Sequence, residues 1–73
     1  MNLLKFLDNE NIDLAEPVAI VDPNLSRPIY IGLVGEIPFS FLRNEIRTID
    51  FQTGRGVYKE EEMFYTFKVV LNI

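Results

Sequence analysis

The chain has no cysteine, no histidine and no tryptophan. Without cysteine there is no disulfide to brace a small core, and without cysteine or histidine the usual zinc ligands are missing. The same two absences remove the commonest catalytic base and the best thiol nucleophile. Long hydrophobic runs are also lacking. The apolar stretches are a few residues each, far short of the roughly 20 that a membrane span needs. Met1–Leu7 holds one lysine and too short an apolar region for a signal peptide. No membrane association is expected, and a cytoplasmic location is.

What is present is 73 residues with 48% hydrophobic content, which suits one small packed domain, residues 1–73. Net charge is −4, and it is uneven: residues 1–36 hold six acids against two bases, residues 37–73 five against five. An acidic chain repels phosphate backbones at long range, which disfavours nucleic acid as a partner. A local basic patch built from Arg43, Arg47, Arg55, Lys59 and Lys68 of the second half is the exception to weigh.

Leu3, Leu4, Phe6 and Leu7 fall within two helical turns after Asn2, a good N-cap, so a helix is expected over about 2–9. A helix this short must dock on something. Val18-Ala19-Ile20-Val21 and Ile29–Val34 flank the turn residues Asp22-Pro23-Asn24, which predicts a hairpin of strands 17–22 and 28–34. Pro38 suits the first position of a helical turn over 38–43. Arg47, Ile49 and Phe51 alternate with Thr48, Asp50 and Gln52, a half-buried strand over 46–52. Thr53–Gly56 reads as a flexible loop, with an anion-binding nest as the sharper alternative.

The strongest pattern closes the chain: Met63, Tyr65, Phe67, Val69, Leu71 and Ile73 are apolar at a spacing of two. It predicts a strand over 63–72 of roughly 36 Å, which must bend around the core or extend past it. The expected fold class is α+β, mostly β. An N-terminal helix would cover a curled antiparallel sheet of about four strands that approaches a small SH3- or Sm-like barrel.

Two polar clusters invite chemistry. Asp8-Asn9-Glu10-Asn11 with Asp13 is rich in oxygen ligands, but Ile12 interrupts the series and Asp13 stands where a calcium loop needs glycine. Glu60-Glu61-Glu62 reads as a solvated charge run. No catalytic residue, metal or cofactor is expected, and the chain is read as a non-enzyme. The aromatics Phe39, Phe41, Tyr58 and Phe64 are the candidate interface, weighed against a plain core role for Phe39 and Phe41.

Leu3-Leu4-Lys5-Phe6-Leu7, Val18–Asp22, Ile29–Gly32 and Glu36–Leu42 together resemble short uncharacterised proteins of phages and prophages of Gram-positive bacteria. The residues carrying the likeness include Tyr30 and Gly32, then Ile37, Pro38, Phe41 and Leu42. It implies a bacterial or phage context and no activity, cofactor or site. Three functional readings follow from the sequence: a protein–protein interaction module that forms a homodimer, an acidic inhibitor mimicking nucleic-acid phosphates, and a small nucleic-acid-binding barrel.

Overall fold

The computed structural model describes residues 1–25 and 27–73. Helix α1 (Leu3–Asn9) starts where its cap requires: the Asn2 side-chain oxygen accepts from the Lys5 amide at 2.9 Å. Leu3, Phe6 and Leu7 are buried, while Leu4 is turned outward. Strands β1 (Pro17–Val21) and β2 (Pro28–Leu33) form the expected antiparallel hairpin. Its turn is held by Asp22, whose carboxylate accepts from the Asn24 amide at 2.8 Å and whose carbonyl accepts from Leu25 at 3.0 Å. A 3-10 turn (Val34–Glu36) and helix α2 (Phe39–Leu42) follow, with Pro38 just before α2, at its N-cap.

The remaining chain makes four strands: β3 (Ile46–Asp50), β4 (Gly54–Tyr58), β5 (Glu61–Tyr65) and β6 (Phe67–Leu71). The single strand expected over 63–72 is therefore two. Thr66 breaks it, and the reason is local bonding on β1. The Thr66 amide donates to the Pro17 carbonyl at 3.1 Å, and its hydroxyl lies 2.6 Å from a Glu16 carboxylate oxygen. Length is the second reason, since a strand of roughly 36 Å would overrun a body whose longest extent is 30 Å.

The loop expected at Thr53–Gly56 is corrected too: Gly54 to Tyr58 pair antiparallel with Tyr65 to Glu61. That hairpin turns at Lys59 and Glu60, both in the left-handed region, with φ of 51° and 67°. Two such residues in succession are the mark of a type I′ turn, for which Asn-Gly is the usual chemistry.

The main sheet runs β2-β1-β6-β3, with β4 and β5 in a separate sheet of two, so no barrel closes. It is antiparallel-rich but mixed: β1 and β6 run parallel, Val18 opposite Phe67 and Ile20 opposite Val69. One face carries Val18, Ile20, Phe67, Val69 and Leu71, all buried, and packs on α1. The other face is covered at β1 and β2 by the β4–β5 hairpin, so Ala19 and Ile31 are also fully buried. Gly56 makes that approach feasible. A Cβ there would stand 3.0 Å from Ile31 Cδ1 and 3.3 Å from Pro28 Cγ. Burial on both faces explains why β1 is an unbroken apolar run instead of an alternation.

In β3 the expected parity is also displaced. A register shift between Ile46 and Thr48 turns Ile46 and Ile49 toward the core and leaves Arg47 exposed. Phe51 lies beyond the strand at 62% exposure, yet its ring still stands 5.9 Å from Phe67 and 6.2 Å from Phe6.

Candidate functional site

The β5 strand leaves β1 at Thr66 and opens a groove of about 710 Å³ beside β2. Tyr30, Leu33, Pro38, Tyr58, Met63 and Phe64 supply its apolar lining, with Glu36, Lys59 and Glu62 among them. Each wall has a sequence cause. The β4–β5 hairpin supplies Tyr58 from its inward face and Phe64 from its outward face. Pro38, placed by the 3-10 turn after β2, closes an end.

Of the four aromatics singled out from the sequence, two meet here. Phe64 is 59% exposed at the groove. Tyr58 is half-buried, its ring edge-on to Tyr30 at 5.6 Å and its outer face under the Lys59 ammonium at 5.4 Å. Phe39 adjoins Pro38 in the chain and is 65% exposed, with the Arg43 guanidinium 5.5 Å from its ring centre. Phe41 is half-buried and packs against the core cluster, which is the plain role weighed for it. Leu33, Met63 and Tyr30 were not singled out for this surface. Met63 belongs to the alternating apolar face, and nothing local in the sequence shows that the bend at Thr66 lifts it away from the core.

Tyr30 forms the groove's polar point. Its hydroxyl donates to the Leu33 carbonyl at 2.8 Å, and its ring lies over Gly32, where a Cβ would be 2.7 Å from the hydroxyl oxygen. Burial raises its pKa above the ordinary 10.0, and the Glu36 carboxylate and Tyr58 add to the rise. The folded state thus holds this proton more tightly than the unfolded chain does. The resulting stability is complete below about pH 10 and is lost as pH climbs through the folded value. Tyr30→Phe is expected to flatten that alkaline fall while costing about 0.5–1.5 kcal/mol at neutral pH from the lost hydrogen bond. Thermal melts from pH 7 to 12 check this. Parallel falls in wild type and variant would show that another group governs the alkaline limb.

The six acids of residues 1–36 do not share one surface role. Asp8, Glu10 and Asp13 are exposed around the α1 exit, but Glu16 is tied to Thr66 and Asp22 to its own turn. Among the described residues, no three acidic side chains gather as a metal site would require. The bases divide as well: Arg43 lies over Phe39 and Arg47 projects from β3, whereas Arg55, Lys59 and Lys68 collect beside the β1–β2 turn.

No protein-family model, curated protein or solved structure matches this chain. Among the described residues, no helix is long and apolar enough to cross a membrane.

Proposed function

We propose that the chain is a non-enzymatic protein–protein interaction module that associates with a second copy of itself through the groove beside β2. The observation that carries this reading is Phe64, 59% exposed beside an apolar groove, with Leu33 at 40% exposure on the same groove. Large apolar side chains next to a concave apolar surface gain free energy by mutual burial. Phe64 from one copy entering the groove of another, and the reverse, makes a self-complementary contact about a two-fold axis. A domain this small without disulfide or zinc support also gains from association. The bacterial or phage setting follows the resemblance carried by Tyr30, Gly32 and Ile37–Leu42, and a cytoplasmic location fits the absence of cysteine.

The groove's chemistry favours binding over catalysis: its one buried hydroxyl, on Tyr30, is committed to the Leu33 carbonyl. The reading as an acidic phosphate mimic has less support, because Glu16 and Asp22 are engaged in internal hydrogen bonds.

Light scattering and melting temperature against protein concentration test the proposal. A dimer whose apparent stability rises with concentration is expected, since only the folded state associates. Phe64→Lys should leave the monomer folded, because position 64 is exposed and paired only through its backbone with Arg55, yet weaken the dimer about tenfold or more. A monomer up to millimolar concentration with a constant melting temperature would refute self-association.

A further inference from the structure

Four of the chain's seven bases, from three parts of the sequence, line adjoining depressions around Pro28. Arg27, Arg55 and Lys59 surround one of about 610 Å³, and Arg27, Arg55 and Lys68 another of about 300 Å³. The fold brings them together by a specific route. The β4–β5 hairpin lies across the end of the β1–β2 hairpin, with Gly56 against Pro28, so that Arg55 of β4 and Lys59 of the turn after it join Arg27 and the β6 base Lys68.

Charge in this cleft is only partly answered. Arg55 pairs with Glu62 at 3.1 Å, and Glu60 also lines the cleft. Among the described residues, Arg27, Lys59 and Lys68 have no carboxylate within salt-bridge reach. The remainder of the chain carries nine acids against three bases. Outside the cleft the chain is therefore acidic on balance. Tyr65 adds an aromatic surface: half-buried, its ring lies over Gly54 and lines the cleft beside Arg55 and Lys68.

We propose that this cleft binds a short stretch of single-stranded nucleic acid. Arg27, Arg55, Lys59 and Lys68 hold backbone phosphates, and a base stacks on Tyr65. Cations along a groove combined with an aromatic platform are what sequence-tolerant single-strand binding uses. An acidic protein segment would need the cations but gain little from Tyr65. The acidic body limits the footprint, because a long or double-stranded polyanion meets repulsion beyond the cleft. The cleft shares Lys59 with the groove beside β2, whereas Arg27, Arg55, Tyr65 and Lys68 line the cleft and not the groove.

Fluorescence anisotropy of a labelled oligo-dT of about twelve nucleotides at low salt gives the readout. Arg27→Glu with Arg55→Glu should weaken binding about tenfold or more, both sites being exposed and outside the groove beside β2. Arg43→Glu with Arg47→Glu alters net charge equally outside the cleft and should weaken it less than about threefold. Tyr65→Leu should weaken binding without changing the salt dependence, whose log–log slope should lie near −2 to −3 for about four phosphates. Failure of wild type to bind at low salt would overturn the proposal. So would equal losses in the two charge-reversed pairs. A change in self-association of the Arg27/Arg55 variant, with no oligonucleotide bound by wild type, would instead mark the cleft as a protein-binding face and overturn it equally.

Discussion

Val69→Asp is expected to abolish cooperative folding. Val69 is fully buried in β6, paired with Ile20 on one side and Ile49 on the other. Among the described residues, the core cluster around it is aliphatic and aromatic, and the cluster's one hydroxyl, on Tyr30, is committed to the Leu33 carbonyl. An unpaired buried charge costs several kcal/mol, against a total stability of about 4–11 kcal/mol for a chain of this length. Far-UV circular dichroism should show no sigmoidal melt. A cooperative transition near the wild-type temperature would mean that this face of β6 is not the core. Val69→Ala, which only leaves a cavity, should keep the melt and lower its midpoint.

Removal of residues 1–8 is expected to have the next largest effect. Burial of Leu3, Phe6 and Leu7 contributes about 1.5–3 kcal/mol each, and their loss bares the sheet face that holds Val18, Ile20 and Val69. The segment also stitches the edge of β3: the Leu3 amide donates to Asn44, the Ile46 amide to Met1, and the Met1 ammonium pairs with Glu45 at 2.8 Å. That surface ion pair adds little; the apolar cover is what matters. A steep fall in the denaturant midpoint should result. An unchanged midpoint would identify the segment as an arm for another partner.

Much of the fold was legible from local chemistry. Asn2 announces α1, Asp22-Pro23-Asn24 announces the β1–β2 turn, and Pro38 announces α2, because each acts on backbone groups a few residues away. The β4–β5 hairpin was not legible. Its strand alternates Gly54 and Gly56 with exposed Arg55 and Val57, and its turn residues, Lys59 and Glu60, carry no turn preference. Left-handed backbone at two such residues costs roughly 1–2 kcal/mol each, a cost met by packing over Ile31 and Pro28. The end of the chain reads as one strand because alternation continues unbroken on either side of Thr66. What interrupts it is the bond to Pro17, 49 residues away. The candidate site was half legible for the same reason. Phe64 and Phe39 could be singled out as aromatics on mixed or short elements, but the groove itself exists only because β5 leaves the sheet. The meeting of Arg27 with Arg55 and Lys68 likewise depends on one hairpin crossing another.

The parallel pairing of β1 with β6 sets the order in which the molecule can be made. β6 sits second from the edge, between β1 and β3, and is made after the other five strands. Until it emerges, β3 has no sheet neighbour, and β1 has only β2. The first half of the chain must then wait with Val18 and Ile20 unsheltered. Non-local pairing of this kind slows the closing step, since the intervening loop loses its entropy before any contact rewards it. During synthesis the nascent hairpin therefore offers an apolar edge to other chains, and the hazard ends only when the final five-residue strand is inserted.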